Sequence, residues 1–409
     1  MKAVAIALLL VGGAGHARGR PQPPSQLPTI RAPREVRVVL GSGAASLGVG
    51  GSAPWRLVDA WGRVHARGSR AGEWRIERDG RRLRAVQVPT GRATAWSDEP
   101  FAVQADGDDA SSSRVSWEAR RYRGELRYLA TDTAVLVANV LPIEEYLRGV
   151  VPLEIGPRGS AERAAVEAQA IAARSYTVVR ALEGVTRAWD LTSRPVDQVY
   201  GGVDAESAVA NAAIAATEGI VLSYRGQVVR APYHSTCGGT TAAPEEVFAG
   251  VGEGYLRSVS DRVPGTDRAW CEISPRYSWE RKWSREELVA TVARSTEGKG
   301  IHAIHGVDMT GSTASGRLAG LRLSTDRGTI QLRGNALRFA LANVGGEILP
   351  STYVSAHWSA TQGLTLRGRG NGHGVGMCQW GAIARARAGY DAATILLAYY
   401  PGTTLSRVH

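Results

Sequence analysis

The stretch from Leu141 to Tyr176 constrains this chain most. An apolar run, Val150-Val151-Pro152-Leu153, leads into Glu154, then into the break Ile155-Gly156-Pro157-Arg158-Gly159, then into an alanine-rich segment. Pro152 and Pro157 fix φ and lack an N–H, so the pattern predicts a bent, partly buried loop around Glu154 rather than a continuous helix. A carboxyl held there loses hydration, which raises its pKa toward the range useful for proton transfer. A helix follows, with Ser160 as the expected N-cap and Glu162 favouring the positive end of its dipole. Ala164, Ala168, Ile171 or Ala172, and Ser175 recur on one face at helical spacing, and their small size lets another element approach closely. The competing reading is an ordinary structural carboxylate, since perturbed carboxylates also occur in structural networks.

With 409 residues, 44% hydrophobic and 21% charged, the chain has ample material for a buried core and for two or three domains. Its net charge of +11 is carried almost wholly by arginine; Lys2, Lys282 and Lys299 are the lysines. Such a charge suits nucleic acid, an anionic membrane or an acidic polymer. The N-terminus selects among these. Lys2, the apolar run Ala3 to Val11 and small residues up to Ala17 read as a signal peptide over 1–17, too short to span a bilayer. Export to the periplasm or cell envelope makes cell-wall material the expected partner and leaves no role for nucleic acid. Membrane attachment would come only through an uncleaved signal.

Residues 18–34, rich in Pro, Arg and Gln, read as a disordered tether. From 35 to 118, short β-type runs such as Val36–Leu40, Trp74–Ile76, Leu83–Val86 and Phe101–Val103 alternate with turn residues, and Asp79-Gly80 fits a tight turn. This segment is expected to form a β-rich N-terminal domain. From 119 to 409 the strands alternate with alanine-rich helices. The fold class is therefore α+β: mixed β-sheets with packed alanine-rich helices forming a cleft. Ser284 with Glu287 makes a capping box for one further helix.

Two other constellations carry chemistry. His234-x-x-Cys237 places an imidazole and a thiol together at a strand end, and Cys271 follows Trp270. His234, Cys237 and Cys271 are suitable ligands for a structural zinc ion. A Cys237–Cys271 disulfide suits an exported protein equally, and free thiols are the third outcome. Cys378 reads as a small buried hydrophobe. Gly370-Asn371-Gly372-His373-Gly374-Val375-Gly376 lacks the dinucleotide-loop spacing. Its glycines allow close backbone approach to a ligand, which would expose His373 to it. Gln379 and Trp380 add an amide and a flat apolar face, suited to gripping a sugar. Ser235 and Ser175 lie on no nucleophile elbow, and Cys237 beside His234 is the remaining nucleophile candidate.

Tyr146-Leu-Arg-Gly-Val-Val-Pro-Leu-Glu154 and Glu167-Ala-Gln169-Ala-Ile-Ala-Ala-Arg174-Ser175-Tyr176 resemble the SpoIID/LytB family. So do His234-Ser-Thr-Cys237-Gly238-Gly239-Thr240, Gly372 to Gly381 and the ending Tyr399-Tyr400-Pro401-Gly402. That family contains the sporulation septal-wall lytic transglycosylase and the amidase-enhancer proteins. The resemblance covers roughly 120–405. It implies a lytic transglycosylase that cuts peptidoglycan glycan strands, with Glu154 as the single catalytic acid and base. It also implies that Arg174, Gln198, Tyr200, Ser235, His373, Gln379 and Trp380 contact the substrate. Some relatives carry zinc at the position resembling His234 and Cys237. The alternative it implies is a non-catalytic, wall-bound enhancer of an N-acetylmuramoyl-L-alanine amidase. A zinc peptidase would want a helical H-E-x-x-H, which the sequence lacks.

Overall fold

The computed structural model describes residues 27–50, 54–106, 114–248 and 252–409. The expected signal peptide and most of the tether lie outside the described residues. The end of the tether is ordered: Thr29–Ile30 pairs in parallel with the C-terminal strand Thr404–Val408, which brings the two ends of the described chain together.

The fold is α+β, with mixed sheets and packed helices. Its largest sheet corrects the expected boundary at 118. In spatial order its strands are Leu191–Thr192, Glu35–Gly43, Val135–Pro142, Glu125–Ala130, Phe101–Ala105, Trp55–Val58 and Val64–Gly68. Residues from both sides of 118 thus share one hydrogen-bonded ladder: Glu35–Gly43 pairs with Val135–Pro142, and Phe101–Ala105 with Glu125–Ala130. Apolar side chains on alternate positions of these strands cannot be covered until both segments are present, so neither half has a finished core. Asp79-Gly80 does form a tight turn, with Gly80 at φ 59° between Trp74–Asp79 and Arg82–Gln87.

Against this sheet lies the helix Arg163–Glu183. Ala165, Ala168, Ala172 and Ala173 are buried along it. Their short side chains admit the helices Ala208–Ala216, Gln379–Arg387 and Ala392–Tyr399 at close range. Ser160 does not cap this helix. It opens a separate 3₁₀ turn, Ser160–Glu162, in which Glu162 Oε2 accepts the Gly159 N–H at 2.9 Å. Ser207, Ser284 and Asp391 are N-caps of the later helices, each accepting a backbone N–H.

A second core was not anticipated. Trp283, Leu288, Val292, Leu321, Leu323, Leu337, Leu364 and Leu366 pack together, apart from the main core. They come from a three-stranded sheet (Ser278–Trp283, Gly363–Arg369, Val354–Ser359), a second one (Ile304–Met309, Leu321–Thr325, Gly328–Leu332) and two helices. This unit is inserted between Thr236 and Asn371, which pair with each other through an isolated antiparallel bridge. Among the described residues no helix is long and apolar enough to cross a membrane.

Candidate functional site

Glu154 sits in the last turn of a short helix, Val151–Ile155, not in a loop. Pro152 is tolerated because it lies in the first turn, where its missing N–H has no intrahelical partner to lose. Gly156, at φ 76°, ends the helix in a conformation that a Cβ disfavours. The helix is held from both sides. Gln379 Nε2 donates to the Glu154 carbonyl at 2.9 Å and to Gln169 Oε1 at 3.2 Å.

The Glu154 carboxyl is half-buried, and its Oε1 accepts the Val199 N–H at 2.8 Å. Among the described residues no protein group donates to Oε2. Burial pushes its pKa up, and the Val199 hydrogen bond only partly offsets this. The nearby carboxylate, Asp197, is already engaged: it accepts from the Thr192 N–H and hydroxyl at 2.8 and 3.0 Å and pairs with Arg180 at 3.3 Å. Glu154 therefore keeps one carboxyl oxygen for another molecule where Asp197 does not.

The groups expected at the substrate divide in two. Gln379 adjoins Glu154, as described. Trp380 follows it, half-exposed, with the Arg158 guanidinium stacked 4.9 Å from its ring centre. Trp380 N–H donates to the carbonyl of Ser235, which is also half-buried. Trp380 and Ser235 are thus partly open to solvent, whereas Gln379 is buried and reaches Glu154 through its backbone carbonyl.

Arg174, Gln198 and Tyr200 are instead interior, which corrects the expectation that they touch substrate. Arg174 is fully enclosed, donating to both carboxyl oxygens of Glu144 at 2.6 and 2.7 Å and to the Ile220 carbonyl at 3.0 Å. Tyr200 donates to Asn139 Oδ1 at 2.7 Å within a stack of Tyr146 and Tyr122. Gln198 accepts from the hydroxyls of Tyr146 and Thr177 at 3.2 and 2.9 Å and donates to Tyr233 Oη at 2.9 Å. Its backbone neighbour is Val199, so this network fixes the N–H that meets Glu154.

His373 is also committed. Its Nε2 donates to the Tyr233 carbonyl at 2.8 Å, while Nδ1 accepts the Val375 N–H at 3.1 Å. Burial, aided by Arg338, pushes its pKa down to about 4, so it is neutral at ordinary pH. The glycine-rich segment serves a chain crossing rather than a ligand cradle. Met377–Cys378 pairs in parallel with Tyr233–His234, and a Cβ on Gly376 would fall 2.0 Å from the Pro232 carbonyl oxygen. Tyr233 links the two regions, with its carbonyl at His373 and its hydroxyl at Gln198. Sequence reasoning missed Tyr233 and Val199. Tyr233 precedes a block already marked; a backbone N–H leaves no sequence signal.

The expected metal ligands regroup as well. His234 is buried, with Nδ1 donating to the Val375 carbonyl at 3.2 Å and Nε2 without a partner. It does not join the cysteines. Cys237, Asp261, Cys271 and Cys378 do: all four are buried, with their donor atoms within 4.8 Å of one another. Cys237 and Cys271 are unbonded thiols, Sγ to Sγ 3.5 Å. Cys378, read from sequence as an inert filler, accepts the Cys237 N–H at 3.2 Å and caps the helix Gln379–Arg387 by accepting the Gly381 N–H. Hydrogen bonds from Cys237 and Cys378 hold the Cys271 thiol below the usual cysteine range. Burial, offset by Arg385 and Tyr399, still pushes Asp261 up to about 6.

An open groove of about 750 Å³ lies elsewhere, on the inserted unit, walled by Tyr277, Trp279, Tyr353, Arg367 and Arg369. Glu154 does not line it.

Comparison with known proteins adds to this picture. The family described as Stage II sporulation protein (SpoIID) matches residues 131–224, which contain Glu154 and Arg174. A domain of unknown function (DUF8618) matches residues 267–376, largely the inserted unit. An uncharacterised protein of Brachyspira hyodysenteriae is 29% identical over 287 residues, covering 69% of this chain and 72% of that one. The amidase enhancer of Bacillus subtilis is 29% identical over 337 residues, covering 73% of this chain and 46% of its own length. Stage II sporulation protein D of the same organism is 28% identical over 286 residues, covering 65% and 75%. This chain thus spans less than half of the amidase enhancer it resembles.

Proposed function

We propose that this chain, which carries a SpoIID domain, is an exported peptidoglycan lytic transglycosylase with Glu154 as its acid and base. The observation that carries the reading is the Glu154 carboxyl: half-buried, raised in pKa, fixed through one oxygen by Val199 and open at the other. Such a group is protonated over a wider pH range than an exposed glutamate and is oriented before substrate arrives.

In the proposed step, Glu154 gives its proton to the oxygen joining N-acetylmuramic acid to N-acetylglucosamine, and the C1–O bond breaks. The muramyl C6 hydroxyl attacks C1 and forms the new C–O bond. Its proton returns to Glu154, so the enzyme is restored and no water is consumed. The usual glycosidase pair of carboxyls is not required, because the nucleophile belongs to the substrate. This agrees with the engagement of Asp197 by Thr192 and Arg180. Trp380 and Arg158, which donates to the Ile155 carbonyl at the end of the Glu154 helix, offer a flat apolar face and a cation suited to a sugar ring and its acidic substituent.

A second reading is favoured by the relative named amidase enhancer. In it the chain binds wall glycan and a cell-wall amidase and cuts nothing. Incubating purified protein with peptide-free glycan strands separates the two. Anhydro-muramyl products by mass spectrometry, lost in Glu154→Gln, are the expected result. Products that persist in the variant would overturn the role of Glu154. No product from the wild type, with binding retained, would favour the enhancer.

A further inference from the structure

The four side chains Cys237, Asp261, Cys271 and Cys378 come from four separate places in the chain. They are the turn after Tyr233–His234, the loop at 261, the 3₁₀ turn Trp270–Ile273 and the N-cap of the helix Gln379–Arg387. We infer that these four residues form a structural zinc site, with Cys378 and Asp261 completing it in place of His234.

The donor geometry fits. A tetrahedral site with Zn–S bonds of about 2.3 Å has edges of about 3.8 Å. Here Cys237 Sγ lies 3.5 Å from Cys271 Sγ and 3.2 Å from Asp261 Oδ2, and every donor pair is within 4.8 Å. Small relaxations bring these atoms onto the vertices. The surroundings fit too. Backbone amides already point at sulfur: Gly239 N–H to Cys237 at 3.3 Å, Cys237 N–H to Cys378 at 3.2 Å and Gly381 N–H to Cys378 at 3.4 Å. Asp261 Oδ1, the oxygen turned away from Cys237, is held by Tyr399 at 2.8 Å and Arg385 at 3.1 Å, which leaves Oδ2 for the ion. Three thiolates, one carboxylate and a divalent cation leave two negative charges. Arg385, paired with Asp261, and buried Arg317, which donates to the Cys237 carbonyl at 2.9 Å, supply two positive ones. His234 does not fit this set. Its one free nitrogen, Nε2, lies outside the group of converging donors.

The zinc ion ties three segments to the start of the helix whose first residue, Gln379, grips the Glu154 carbonyl. Its role is to hold that helix end, and the inference does not depend on what Glu154 does. Soft thiolate donors with one carboxylate and no open face favour zinc over magnesium or calcium.

The test uses the full exported chain, purified under reducing conditions without chelator. Elemental analysis is expected to find about one zinc per chain. Cys378→Ser retains a helix cap but removes the sulfur, and Asp261→Asn retains the shape; each is expected to lose most of the metal while keeping the wild-type circular dichroism. His234→Asn is expected to keep it. Cobalt(II) exchanged into the wild type should show thiolate charge-transfer bands that Cys378→Ser lacks. Three results would overturn the inference: no zinc bound as isolated or after equimolar addition; a Cys237–Cys271 disulfide found by alkylation and mass spectrometry in the native protein; or zinc lost in His234→Asn and kept in Cys378→Ser.

Discussion

Glu154 owes its character to what surrounds it at a few ångströms. Burial raises its pKa above 4.5 and one backbone N–H fails to cancel this. The folded state therefore holds this proton more tightly than the unfolded chain does. The resulting stability is fully present below the ordinary glutamate pKa and is lost as pH rises through the folded value. Glu154→Gln is expected to remove that dependence, so the variant should melt higher than wild type at pH 7 while its glycan cleavage falls on the order of 10²- to 10⁴-fold. Thermal unfolding at several pH values checks this; parallel profiles for the two proteins would rule it out. Arg174 makes the opposite case. Its guanidinium is fully enclosed against Glu144. Arg174→Met leaves Glu144 without its charge partner, with only the Gly219 N–H at 3.2 Å, and is expected to cost about 3 kcal/mol in urea unfolding. Glycan affinity of the folded variant should not change, because the Arg174 side chain is fully enclosed.

At the scale of elements, the pairing of Tyr233–His234 with Met377–Cys378 sets the site. Segments more than a hundred residues apart converge there, and the crossing works because glycine occupies its closest point. Gly376 has φ 73° and faces the Pro232 carbonyl at a distance no Cβ allows. Gly376→Ala is expected to destabilise by about 3 kcal/mol or more, combining left-handed backbone strain with a clash against rigid main chain. Chemical denaturation measures it; a loss under about 1 kcal/mol would mean the crossing is not tight. The glycine-rich sequence announced a special backbone here. It did not reveal that the close neighbour is the protein itself, because a positive φ looks the same in sequence whether a ligand or a strand approaches.

For the whole molecule, the seven-stranded sheet joins residues on both sides of 118. A fragment of residues 119–409 lacks Glu35–Gly43 and Phe101–Ala105, and so exposes both edges of the pair Glu125–Ala130 and Val135–Pro142. Such unpaired edges aggregate. The fragment is expected to be insoluble or to lack a cooperative thermal transition, where the chain from residue 27 onward unfolds as one unit; a soluble, cooperatively melting fragment would restore a boundary at 118. The local features were legible in sequence because each depends on neighbours a few residues away. These were the strand alternation of Trp74–Asp79, the turn at Gly80, the capping box at Ser284 and the small-residue face of Arg163–Glu183. The partial burial of Glu154 was legible too, since an apolar run and a proline-glycine break mark a carboxyl drawn out of water, though the segment is a short helix and not a loop. What the sequence could not decide was which distant groups meet. Whether Arg174 faces sugar or Glu144, and whether Cys237 gathers His234 or Cys378, depends on contacts spanning from thirty to over a hundred residues. Only the packed chain resolves those, because a side chain's partner is chosen by the space left when sheets and helices close on one another.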